Sequence, residues 1–456
     1  MAILKVINPA TGVLLHQYET MSREEILSII DDAASARQRW ERSSWRERKS
    51  LMHQLAALLR QEKAACARII TEEMGKPVTQ AQAEIEKCAV LCEYYAESAE
   101  GQLQPELIDA GRVKSYRCYE PLGVIFGIMP WNFPFWQVLR FAVPNIMGAN
   151  AVLLKHAPNS TGAALALEKL FVNAGFPKHL FRSLVIDVDL VSTVIEHEYV
   201  AGVTLTGSSR AGRAVGAQAA HALKKIVLEL GGSDPYLILA DADLDLAAEQ
   251  CVTSRLNNTG QVCIAAKRII AVDAIYDEFV GKVIECVKTY HCADPMRAST
   301  KMGPLARLDL LEQLDQQVQR SIAAGVKCIL GGKRAEGEGY YYEPTILVDV
   351  KKGTPAYDEE LFGPVVSILS AQDEAAAINI ANDTPFGLGA AVFTRDIKRG
   401  EKIARDKIKA GTCAVNTLVV SDPRLPFGGI KQSGFGRELA AEGLHEFMNI
   451  KTVIID

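Results

Sequence analysis

Apolar positions along the chain change rhythm near residue 120. Before that point they recur at helical spacing. Ile26, Ile29, Ile30, Ala33 and Trp40 fall on one helical face, and Ser22 with Glu25 three residues on forms a capping box ahead of it, so the chain is expected to open helical. Two more helices are predicted at roughly 45–73 and 78–98, the first stopped by Gly75 and Pro77. The polar, alternating segment "GRVKSYRCYEP" reads as an exposed strand or hairpin arm.

Beyond it, short apolar runs alternate with helical stretches, the signature of βαβ units on a parallel sheet. "AVLLK", "LFRSLVI", "VAGVTLTG" and "KIVLEL" form one series. A second begins after "ELGGSDPYLILA": a helix near 243–256, strand "RIIAV", helices at 275–291 and 308–324, strands "KCILG" and "PTILVDV", then further units to "GTCAVN". The predicted fold class is therefore α/β, with two doubly wound parallel-sheet domains. The tail "HEFMNIKTVIID" ends in a strand-like run whose edge something must cover. Pro121 to Leu139 carries no charge over the length of a membrane span, but Pro130, Asn132 and Pro134 interrupt it, and a buried strand at Val124–Met129 followed by a turn is expected instead.

Composition narrows the partners. The 456 residues include 50 basic and 55 acidic side chains and no basic tract that would follow a nucleic acid, so small molecules are the expected ligands. Ten cysteines lie scattered without zinc-ligand spacing, and Cys88 with Cys92 is a helical i,i+4 pair, so no metal site is expected. Free thiols and an N-terminus, "MAILKVINPATG", without a secretory pattern point to the cytoplasm.

A few residues stand out chemically. Cys263, in "NNTGQVCIAAKR", follows a glycine-containing turn; a lone cysteine usually fills core, but a nucleophile needs a reachable sulfur with backbone dipoles close by. Asn132 is either a turn residue or an amide that donates to an oxyanion. Glu229 ends the apolar run "KKIVLEL" just before Gly231 and Gly232, where a carboxylate with a raised pKa suits a general base, although a solvated strand end is the plainer alternative. Gly207 and Gly212 in "TGSSRAGRAVG" allow close approach of a dinucleotide or merely pack a helix on a sheet. Arg140 follows Trp136 by one helical turn, either a surface arginine or a cation beside an aromatic wall.

These stretches occur together and in order. "PWNFP", "LLKHAPN", "TGSSRAG", "ELGGSDP", "NTGQVC", "EELFGPV" and "PFGGIKQSGFGRE" resemble the NAD(P)-dependent aldehyde dehydrogenases across nearly the whole chain, and "PWNFPFWQVLR" with "VSDPRLPFGG" is most similar to their succinate-semialdehyde branch. The resemblance implies a dinucleotide-binding domain at 1–111 and 121–229, a catalytic domain at 230–419 and a β-arm oligomerisation element at 112–120 and 440–456. It implies Cys263 as nucleophile, Asn132 as oxyanion donor and Glu229 as the base for hydrolysis, a glutamate that coenzyme-A-dependent relatives generally lack. NAD or NADP would lie against Trp131, Lys155, Gly207, Ser208, Leu230, Glu360 and Phe362.

Where many NAD-preferring relatives carry a glutamate, this chain has Pro158, which removes repulsion against a 2′-phosphate while leaving Lys155 and His156 as the nearby cations. A distal substrate carboxylate would meet Trp136, Arg140 and Ser421. A second arginine of some relatives falls at Asn257, and whether Arg255 substitutes stays open. The implied reaction is oxidation of succinate semialdehyde to succinate through a thiohemiacetal and a thioester, by a homodimer or homotetramer whose arm and C-terminal strand pair across subunits. Another small or phosphorylated aldehyde, or a catalytically silent binding or structural relative, are the alternatives.

Overall fold

Two parallel-rich sheets carry the molecule in a computed structural model that describes residues 2–456. The first has six strands in the order Gly434–Phe435, Lys225–Glu229, Val200–Thr206, Val124–Met129, Ala151–His156 and Phe181–Ser183. The second has seven: Lys327–Leu330, Thr345–Val348, Val365–Ala371, Ala266–Val272, Asp234–Ile238, Gly389–Phe393 and Thr412–Val415. Only Gly434–Phe435 and Lys327–Leu330, both at edges, run antiparallel to their neighbours. Every residue of Ala151–His156, Asp234–Ile238 and Ala266–Val272 is buried, because helices cover both faces; that is why these strands read as continuous apolar runs.

The uncharged run from Pro121 resolves as expected into the strand Val124–Met129, a turn, and then the helix Trp136–Met147. Among the described residues no helix is long and apolar enough to cross a membrane.

Three expectations need correction. The chain opens on an antiparallel hairpin, Ile3–Ile7 with Leu14–Glu19, ahead of the helix Arg23–Trp40. Its second strand is half-buried or exposed throughout, so burial imposes no strong alternation for the pattern to reveal. The helix predicted at 45–73 is two, Trp45–Gln61 and Lys63–Met74, because the Glu62 backbone leaves the helical region at φ −90°, ψ 9°. The C-terminal strand Met448–Ile455 pairs with Lys114–Pro121 of its own chain, in unbroken register from Met448 opposite Pro121 to Ile455 opposite Lys114. Glu106–Leu107 takes the far side of the arm, so Met448–Ile455 keeps an outer edge.

Topology sets the site. Trp131 and Asn132 follow the strand Val124–Met129, Gly207 and Ser208 follow Val200–Thr206, and Glu229 ends its own strand. All lie at carboxyl ends of the first sheet, where open α/β sheets gather their ligands. Cys263 arrives from the second sheet, in the turn that leads into Ala266–Val272.

Candidate active site

The turn before Cys263 is unusual backbone. Asn258, Thr259 and Gly260 all have positive φ, at 49°, 55° and 74°. Asparagine tolerates this region, glycine is free in it, and a β-branched threonine enters it only under constraint. The constraint is visible: the Thr259 hydroxyl donates to Gly303 O and accepts from Gly303 N–H, each at 3.1 Å, while Asn258 N–H donates to Gln80 Oε1 at 2.9 Å. A Cβ at Gly260 would lie 2.1 Å from Gly363 O, so only glycine fits.

Arg255 locks the turn from beneath. It is fully buried, and its guanidinium donates to the carbonyls of Gly260, Leu361 and Val365. Its donors are thus spent on backbone, and it lines no substrate space. The position of the second arginine, Asn257, does line the cavity described below.

Two cavities meet at Cys263. The larger, about 540 Å³, is walled by Trp131, Asn132, Gly207, Ser208, Leu230, Glu360 and Phe362 among others. The cofactor residues expected from sequence therefore converge on one space, with two qualifications. Gly207 faces open room, since a Cβ there would have only Leu205 Cδ2 within 4 Å, at 3.8 Å; Gly212 instead packs against Leu230, whose side chain a Cβ would meet at 2.6 Å. Lys155 is buried beside this space rather than in its lining, and burial lowers its pKa.

His156 supplies no cation. Its Nε2 lies 2.9 Å from Pro134 O, its Nδ1 accepts from Ala157 N–H, and burial pushes its pKa down to about 4. Pro158 opens a short 3₁₀ turn, Pro158–Ser160.

Glu360 is held in the larger cavity by Gly232 N–H and by Lys267, both at 3.1 Å. A Cβ at Gly231 would lie 2.2 Å from Glu360 Oε2, so that glycine keeps the carboxylate where it is. Lys267, itself buried, also donates to the carbonyls of Cys263 and Val262 at 2.5 and 2.8 Å, tying the Cys263 loop to Glu360. Lys267 was not singled out in the sequence, where "KR" reads as ordinary surface charge.

Cys263 and Asn132 come together around one loop. Cys263 N–H donates to no protein acceptor among the described residues. The Asn132 side chain is buried and donates to Gln261 O at 3.1 Å, which fixes the amide beside the loop. The resting thiol is not activated: burial pushes it up to about 11, and Lys267 and Arg140 only partly offset this.

Glu229 is buried behind the cavities rather than in their lining, and its Oε1 has no hydrogen-bond partner. Its pKa is raised by burial first and by Glu438 second, against Arg140 and Arg437. A Cβ at Gly428 would approach Glu229 Oε1 to 2.9 Å, so that glycine makes room for this acid.

The smaller cavity, about 240 Å³, is lined by Trp136, Arg140 and Ser421, the three predicted substrate residues, and by Lys76, Lys87 and Asn257. Arg140 sits in the helix Trp136–Met147, whose first N–H groups, those of Phe135 and Trp136, donate to the buried Glu84 carboxylate at 2.9 and 3.0 Å. The Arg140 guanidinium lies 4.6 Å from the Phe427 ring centre and forms a buried ion pair with Glu438. Neither its Nε nor its Nη2 is aligned for a hydrogen bond.

Comparison with known proteins agrees with this assembly. A family model described as "Aldehyde dehydrogenase family" matches residues 2–453. The chain belongs to the aldehyde dehydrogenase family. It is 44% identical over 447 residues, 98% of this chain and 96% of the other, to the succinate semialdehyde dehydrogenase [NAD(P)+] Sad of Escherichia coli K12. It is 43% identical over 452 residues, 99% of each chain, to a probable succinate-semialdehyde dehydrogenase [NADP(+)] of Synechocystis. The crystal structure of succinic semialdehyde dehydrogenase from Streptococcus pyogenes in complex with NADP+ superposes with a TM-score of 0.97, at 36% identity over 99% of both chains. In this aldehyde dehydrogenase two cavities share a single cysteine, Cys263.

Proposed function

We propose that the protein oxidises succinate semialdehyde to succinate with NADP as the preferred oxidant. The observation that carries this reading is the smaller cavity: Cys263 lines it together with Lys87, Arg140 and Ser421, groups that suit a short aldehyde with a distal carboxylate. The names of its relatives point the same way.

In the mechanism, the Cys263 thiol gives up its proton to solvent, its sulfur bonds to the aldehyde carbon, and the oxyanion takes hydrogen bonds from the Asn132 amide and Cys263 N–H. A nicotinamide dinucleotide bound in the larger cavity supplies the hydride acceptor. The glycines at 207 and 231, the Ser208-capped N-terminus of the helix Ser209–His221 and the Glu360 carboxylate suit such a group. Loss of hydride leaves a thioester on Cys263. Glu229 takes a proton from water, which displaces the sulfur and releases the carboxylic acid; a carboxylate kept above its usual range holds that proton more firmly.

Pro158 stands where an acid would repel a 2′-phosphate, and Lys155 lies three residues before it, with Asp187 acting on the lysine's charge. An association of subunits through the free edge of Met448–Ile455, and a reducing cytoplasmic setting for the ten unpaired cysteines, complete the reading.

Steady-state kcat/KM for succinate semialdehyde and butanal, each with NADP and NAD, tests it. The expected preference for the charged aldehyde is about tenfold or more, one charge-assisted hydrogen bond's worth. Equal rates, or preference for butanal, would leave only the family assignment.

A further inference from the structure

Three cations line the smaller cavity, and they are not equivalent. Lys76 is buried against the Glu84 carboxylate and stands over the Phe133 ring at 3.6 Å. Arg140 is buried against Glu438. Each charge is thus largely compensated before any substrate arrives. Lys87 alone has no carboxylate within ion-pair distance among the described residues. Its ammonium donates to Ser421 Oγ at 2.7 Å and lies 4.0 Å from the Trp136 ring centre, and the Trp136 indole N–H is itself buried without an acceptor. An ammonium with one protein acceptor keeps two N–H donors to offer.

We infer that Lys87, braced by Ser421 and Trp136, is the principal receiver of the substrate's distal carboxylate, and that Arg140 supports it from within its pair with Glu438. This rests on the proposed semialdehyde reading and adds to it a specificity residue on the helix Val78–Gln102.

Charge supports the placement. The groups around Lys87 are Glu84 and Cys88 on its own helix, Arg140 on the neighbouring helix, and Asp422 beside Ser421, whose carboxylate is already held by Arg424. Burial, then Arg140, pushes the Lys87 pKa down to about 8, so its proton is held loosely until an anion comes to share it.

Lys87→Met keeps the aliphatic stem over Trp136 and removes the charge. The expected result is a fall of about ten- to a hundredfold in the ratio of kcat/KM for succinate semialdehyde to that for butanal, carried by KM, with Lys87→Arg restoring most of it. In the wild type the same ratio should decline as pH rises through about 8, where Lys87 loses its proton, and Lys87→Met should flatten that profile. Ionisation of Cys263 speeds both aldehydes and cancels in the ratio.

If Lys87→Met lowers both aldehydes together, or leaves both the ratio and its pH profile as in wild type, Lys87 is not the receiver. That outcome differs from failure of the semialdehyde reading, in which the wild type itself would show no preference. If Lys87→Met fails to fold, the wild-type pH profile decides: a ratio level across that range overturns the proposal.

Discussion

The two cavities at Cys263 are specified in opposite ways. The larger is opened by what is missing, a Cβ at Gly207 and at Gly231. The smaller is defined by what is present, a crowd of charges of which two cations have private carboxylates and one does not. A dinucleotide is large and gains from room along backbone. A four-carbon aldehyde has little surface to bury, so charge must supply the discrimination that area cannot.

The largest expected effect tests whether the two sides are separable. Cys263→Ala should abolish reduction of the cofactor while leaving its binding, followed by fluorescence titration, close to wild type. Loss of cofactor affinity in that variant would mean that the Lys267 link from Glu360 to the Cys263 loop makes the two cavities one unit.

Glu229→Gln should act later in the cycle. A rapid burst of reduced cofactor, about one equivalent per site, should be followed by a stall at the thioester; steady turnover without a stall would place the base elsewhere. The smallest effect belongs to the larger cavity alone. Pro158→Glu should move the NADP to NAD ratio of kcat/KM towards NAD by about tenfold through repulsion of the 2′-phosphate. It should leave the preference between aldehydes untouched, and a shift there would blur the contrast.

Most of the strands were legible because burial on both faces favours runs of Val, Ile, Leu and Ala, and Cys263 stood out because it follows a glycine-containing turn. The N-terminal hairpin was not, since its second strand buries nothing fully. Nor were Lys87, Lys267, Arg268 and Glu438, because a charged residue in a sequence reads as solvated until tertiary contacts bury it. Arg268, for example, is fully buried with its donors on the carbonyls of Ser233, Ile380 and Ala381, segments that its neighbours in sequence do not announce. One signal was available: Gln80, Glu84 and Lys87 recur at i, i+4 and i+7, a polar stripe along one helix, and all three line the smaller cavity.

The left-handed run Asn258–Gly260 has a consequence for how the chain matures. It is held by Gln80 on the helix Val78–Gln102, by Gly303 and by the segment around Gly363, so its bends are set by parts of the chain up to 178 residues distant. Contacts of such separation form late. The place of Cys263 between the two cavities therefore depends on segments remote in the chain closing on its turn. Where this one sulfur sits reports packing across the whole molecule.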